Sequence, residues 1–210
     1  MARIYINTLP VRVWHWTNAL GFILLIATGL QLRYLDMLQF ISFRWAVILH
    51  NWIGFVLIAN FIVWLGFLLF TDKIKGYRPD TDLKRFSAKT WKQMQFYGWG
   101  IFRGDPNPHH ITPDNKFNPM QSSMYQLIMM VLVPLQFFTG LVLWDVTRFG
   151  WVVEHLGGLR VVDTIHVLLF IFFSGFIVVH IYLCSLGHTR LAHFKAMYDG
   201  FEDVEGEGHA

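Results

Sequence analysis

Apolar residues dominate four stretches of the chain, residues 11–32, 45–70, 124–144 and 161–186. About 20 helical residues at 1.5 Å each cross a hydrocarbon core of roughly 30 Å. Each stretch therefore predicts one transmembrane helix, and the fold class is all-α integral membrane, a four-transmembrane-helix bundle. Pro10 is placed to open the first helix. Pro134 lies inside the third, where it should kink the helix and free a carbonyl. Trp14, Trp16, Tyr34, Trp45, Tyr125, Trp144 and Tyr182 gather near the span ends, as interfacial aromatic belts do. Between the second and third spans, residues 82–102 mix Phe86, Trp91, Phe96, Tyr97 and Trp99 with Lys and Arg. That pattern predicts an amphipathic helix lying in the interface. Residues 105–119 read as irregular loop. No internal repeat and no low-complexity tract is expected. Residues 1–198 read as one membrane domain and residues 199–210 as an acidic, mobile tail.

Composition agrees with this picture. The chain is 54% hydrophobic and only 15% charged, whereas a soluble domain carries about 25% charged residues. The net charge of +3 would suit nucleic acid in a soluble chain; here the basic residues read as loop charges and exclude that class. Four spans put both termini on one side. Thirteen Lys and Arg lie on the side of the termini and the long loop, and four lie on the other. The positive-inside rule then makes both termini cytoplasmic in a multi-pass protein. The first apolar run is expected to remain as a span, being too long for a leader and lacking a small-residue cleavage site. Cys184 is the one cysteine, so an internal disulfide and covalent C-x-x-C-H haem attachment are both excluded.

Four of the ten histidines, His15, His50, His166 and His180, fall inside spans. Ionisable side chains there are expensive and mark function, although a histidine bonded to a neighbouring helix is the bland alternative. His15 and His180 sit at one depth near the cytoplasmic ends of their spans. His50 and His166 sit at one depth near the outer ends. Each lies roughly 8 Å below a span end at helical rise. His166 and His180 are 14 residues apart, close to four full turns, so both leave one face of the helix about 21 Å apart. One helix can thus serve two stacked sites, His15 closing one with His180 and His50 the other with His166. Two imidazoles facing each other suit a six-coordinate haem iron. Gly29 and Gly54 could admit a porphyrin edge or serve small-residue helix packing. Arg12 is placed for the propionates of a cytoplasmic haem, and Arg44 and Arg160 for those of an outer one; helix anchoring is the alternative for each. Direct zinc or iron binding would need three or four protein ligands, and two per level are too few. Transport would leave broken helices or mid-membrane acids, and only Pro134 points that way.

Arg12, Trp14, His15 and Trp16 (R-x-W-H-W) on span one, His50 on span two and the 14-residue histidine pair on span four resemble the di-haem cytochrome b subunits of formate dehydrogenase, nickel–iron hydrogenase and thiosulfate reductase complexes. The resemblance covers nearly the whole chain. It implies a bundle enclosing two haem b groups, paired as above, in the cytoplasmic (inner) membrane of a bacterium or archaeon. It further implies a quinone site beside the cytoplasmic haem and an extracytoplasmic iron–sulfur or other redox subunit docked on the outer face; the complex can itself be a homo-oligomer. The long, aromatic, basic second loop departs from the formate dehydrogenase version, which leaves the partner's substrate open. The chain carries no catalytic triad, phosphate-binding loop or flavin motif of its own. Donors for quinone carbonyls could come from Asn118 and Gln121, which also read as plain helix caps, or from His188 and His193. His109 and His110 read as solvated, His155 as an outer-loop residue, and His209 as part of the tail. The rival functions are a haem-free membrane anchor and a stand-alone haem reductase of a non-quinone acceptor.

Overall fold

A computed structural model describes residues 2–71, 82–109, 118–186 and 189–204. In chain order these form β1 (Ala2–Tyr5), α1 (Leu9–Arg33), α2 (Phe43–Phe70) and α3 (Leu83–Gln95). A π turn (Phe96–Gly100) continues α3 into the short α4 (Ile101–Arg103). Next come α5 (Pro119–Leu127), a second π turn (Ile128–Leu132) and α6 (Val133–Trp144). The chain ends in α7 (Gly150–His155), α8 (Leu159–Cys184), α9 (Ala192–Asp199) and β2 (Phe201–Val204).

Four helical stretches are long and apolar enough to cross a membrane, Leu9–Arg33, Phe43–Phe70, Met120–Trp144 and Leu159–Cys184. They are the four expected spans, each begun a few residues earlier than hydropathy alone suggests. Hydropathy marks only the apolar portion, whereas the helical backbone begins directly after the extended residues Thr8, Ser42 and Asn118, the last of which also caps its helix. The third span carries the expected irregularity at Pro134, in a specific form. Pro134 lacks an N–H, and its ring crowds the carbonyl four residues back. That carbonyl, on Met130, lies within the π turn, whose wider winding accommodates it, with Val133 N–H reaching Ile128 O.

The bundle is built from two helical hairpins. α1 packs along α2, and α6 along α8. At the first contact Gly21 faces Leu57, and a Cβ at Gly21 would lie 2.6 Å from Leu57 Cδ2. A core of Trp64, Leu68, Ile128, Met129, Val133, Leu169 and Phe173 joins α2, the third span and α8. The backbones of α1 and α8 stand further apart, and aromatic side chains bridge them: Phe22 and Phe173 meet edge to face at 5.3 Å between ring centres.

Residues 82–102 form the expected amphipathic helix. Asp82 caps it, its Oδ1 accepting from Lys84 N at 3.0 Å and Arg85 N at 3.1 Å. Trp91, Trp99 and Phe102 lie exposed along it, while Gln93 is buried and reaches Asn107 Oδ1 at 3.3 Å. Gly104, at φ +77°, ends it.

Within the segment 199–210, expected as an acidic tail, residues 199–204 are described. Asp199 closes α9, and Phe201–Val204 pair antiparallel with Ala2–Tyr5 in a two-stranded sheet. Two of its acidic residues, Asp199 and Glu202, have partners elsewhere in the chain. Asp199 Oδ2 meets Arg3 Nη2 at 2.8 Å, and Glu202 Oε1 meets His193 Nδ1 at 2.9 Å. Asn7 donates to Ala196 O at 3.1 Å, Trp16 to Met197 O at 2.9 Å, and Arg12 to Tyr198 O. Both termini are thereby strapped over one end of the bundle, beside the start of α1. Residues 205–210 lie outside the described residues.

Candidate functional site

α8 carries His166 and His180, and α1 and α2 carry their counterparts. His180 faces His15 of α1 with ring centres 6.1 Å apart, and His166 faces His50 of α2 at 6.5 Å. The first pair lies toward the strapped termini and the second toward the opposite end. These distances permit a direct test of the haem expectation. An imidazole nitrogen sits about 2 Å from a bound metal. With one ring on each side of a single iron, the ring centres fall about 6 Å apart. Both pairs meet that condition. Among the described residues no three His, Cys, Asp or Glu side chains gather closely enough to share an ion directly, so the donor set suits a metal that brings its remaining ligands with it.

The level between the pairs is filled. Phe22 lies seven residues beyond His15, and Phe173 lies seven residues from both His166 and His180. Their edge-to-face contact therefore falls halfway between the two sites, with Phe173 only 3% exposed.

The surroundings of the second pair were not anticipated from sequence. Thr28 Oγ1 lies 2.9 Å from His50 Nδ1, and Thr139 Oγ1 lies 2.9 Å from His166 Nδ1. A Cβ at Gly29 would stand 3.4 Å from His50 Cε1, and one at Gly140 would stand 3.3 Å from His166 Cε1. Each imidazole thus rests on a bare patch of helix beside a threonine hydroxyl. Gly29 was expected at this level, whereas a Cβ at Gly54 would meet nothing within 4 Å. The two arrangements share a sequence, Thr28-Gly29-Leu30-x-Leu32 on α1 and Thr139-Gly140-Leu141-x-Leu143 on α6. This shared Thr-Gly-Leu is the local trace that the two arrangements leave in the sequence. Around the first pair, Trp16 packs edge-on to His15 at 5.4 Å, Phe176 stacks on His180 at 5.8 Å, and Cys184 Sγ lies 3.7 Å from His180 Nε2.

The remaining expected residues divide. Arg12 sits on α1 just before His15; besides its bond to Tyr198 O, its buried Nε has no partner among the described residues, which suits an anionic group at that level. Arg160 lines an open cleft of about 560 Å³ with Leu143, Val146, Leu159 and Asp163 at the far end. Arg44 is exposed on the first turn of α2. Asn118 and Gln121 form a reciprocal cap: Asn118 Oδ1 accepts from Gln121 N at 2.9 Å, and Gln121 Oε1 accepts from Asn118 N at 3.1 Å. Asn118 Nδ2 also donates to Tyr97 OH at 3.2 Å. The structure thus gives both residues the helix-capping role weighed for them. His193 pairs with Glu202, and His155 lies exposed on α7 with Nδ1 2.7 Å from Trp151 O. His109 lies in the described loop, while His110, His188 and His209 fall outside the described residues.

The profile of the prokaryotic cytochrome b561 family matches residues 7–200, and the chain belongs to that family. It is a membrane electron-transfer subunit of the cytochrome b class, and the class implies haem b. It is 36% identical over 206 residues to cytochrome YdhU of Escherichia coli (strain K12), covering 95% of this chain and 74% of that protein. It is 25% identical over 198 residues to a Ni/Fe-hydrogenase B-type cytochrome subunit of Rhizobium leguminosarum bv. viciae, covering 86% and 80%. No solved structure matches the chain.

Proposed function

We propose that the chain passes electrons across a bacterial or archaeal cytoplasmic membrane between an extracytoplasmic redox partner and the quinone pool, with two b haems held by His15 with His180 and by His50 with His166. The observation that carries this reading is the pair of histidine couples, 6.1 and 6.5 Å between ring centres, hung 14 residues apart on one helix. Bound haem would supply a reversible one-electron couple at each level, with its potential set by ligand identity and burial. The protein's part is to fix the rings, to fill the level between them with Phe22 and Phe173, and to offer Arg12, Arg44 and Arg160 to propionates. The positive-inside count supports cytoplasmic termini. The name of the Rhizobium relative supports a place in a complex with a redox enzyme, whose docking face would be the end away from the termini. Quinone would bind at the strapped end. There His193 and its Glu202 partner offer polar groups, and Asn118 and Gln121 are already engaged in their cap.

The test is a reduced-minus-oxidised visible spectrum with a pyridine haemochrome count, on the wild type, His50→Ala and His180→Ala. Two b haems in the wild type, with a different one perturbed in each variant, is the expected result. No haem, or haem untouched by either substitution, would return the chain to the membrane-anchor class.

A further inference from the structure

Both histidines of the pair far from the termini touch a threonine, and the threonines' other hydrogen bonds decide which imidazole nitrogen holds the proton. A hydroxyl has one hydrogen to give. Thr28 Oγ1 donates to Leu24 O at 2.8 Å, one helical turn back, and Thr139 Oγ1 donates to Leu135 O at 2.9 Å. With that hydrogen committed, each Oγ1 can only accept from the imidazole 2.9 Å away. In that arrangement Nδ1 of His50 and of His166 carries the hydrogen. A neutral imidazole has one donor and one acceptor nitrogen, so Nε2 presents its lone pair. The Gln136 side-chain amide lies 3.2 Å from His166 Nε2 and would give way there to bound iron.

Building on the haem reading above, we propose that Thr28 and Thr139 are positioning residues for the haem held by His50 and His166: each locks its histidine in the Nδ1–H form, turns Nε2 to the iron and draws electron density onto the ring. The clamps are separate. α1 holds the histidine of α2, and α6 holds the histidine of α8. Gly29 and Gly140 complete each clamp, since a Cβ at either would press on the ring at Cε1. Two independent clamps fix the mutual angle of the rings, 67° between their planes. An acceptor at the far nitrogen makes an imidazole a more basic ligand, and such outer partners change metal affinity or activity by about 10–100-fold when removed. A more basic ligand favours ferric over ferrous iron, so the threonines hold this couple low.

The test uses the purified full chain with haem bound, as Thr28→Val, Thr139→Val and the corresponding serine variants. Redox titration followed in the visible band gives both couples, and the couple altered in His50→Ala identifies the site. Each valine variant is expected to weaken the ferric preference of that couple by about tenfold, which is an upward shift of about 59 mV for one electron. The other couple should stay in place. The low-spin ferric EPR signal of the same haem should also move as its ring angle relaxes. Serine should restore wild-type values. Valine variants that lose that haem while serine variants keep it would also support the proposal. Two retained haems with unmoved couples and unmoved EPR would overturn it, as would equal loss in valine and serine variants. A wild type without haem would instead refute the underlying haem assignment.

Discussion

Phe173→Ala removes one ring of the pair that fills the space between the two histidine levels. In a soluble core, Phe→Ala costs about 3–5 kcal/mol, part of it the lost transfer from water and part the cavity left behind. Lipid is as apolar as the core, so the transfer part largely drops out for a membrane helix. The cavity part remains, at about 24 cal/mol per Å³. A void of about 100 Å³, roughly the ring itself, then costs about 2–3 kcal/mol. The site can collapse little, because Phe173 is 3% exposed and packed into the core that joins α2, the third span and α8. The assay is denaturant unfolding in detergent, followed by loss of helix. Phe173→Leu should recover most of the loss. Phe22→Ala combined with Phe173→Ala should show a coupling of about 0.5–1.5 kcal/mol, the usual worth of an aromatic pair. A loss below about 0.5 kcal/mol, the range of surface substitutions, would refute the claim that this pair seals the middle of the bundle.

Gly21→Ala is expected to cost about 1–3 kcal/mol through overpacking, because its Cβ would lie 2.6 Å from Leu57, which is fully buried; the same unfolding assay should show Leu57→Ala relieving part of that cost. The terminal strap should respond to acid. The backbone N–H of Phe201, helped by Arg3 and Lys195, holds the Asp199 carboxyl below its ordinary value. A lowered carboxylate stabilises the fold above the ordinary value, about 3.9, and its contribution is lost as pH falls through the lowered one. Exchange protection of the Ile6 and Asn7 amides, which donate to Gly200 O, should fall in that window, and Asp199→Asn should flatten the response.

The parts of this molecule that sequence reveals are those carried by periodicity. Spans follow from runs of apolar residues, and the histidine pairing follows from depth and from a 14-residue spacing on a helix of 3.6 residues per turn. The cap at Asn118 is also written locally, in the three-residue step to Gln121. What escapes is whatever needs two distant segments at once. Glu202 looks solvated until His193 is beside it, and four-residue strands at opposite ends of the chain announce nothing alone. Thr28 and Thr139 pass as ordinary span residues, because a hydroxyl that bonds to its own helix costs the apolar pattern little. Only their closeness to His50 and His166 gives them a role.

α8 contributes a ring to each histidine pair, and this bears on how the protein is made. Chains emerge N-terminus first, so His15 and His50 are in place while α8 is still to be synthesised. Neither pair can form until that last span enters the bilayer, and a single insertion event then completes both. A chain arrested after the third span therefore holds two half-sites and no whole one, and β1 still awaits its partner strand.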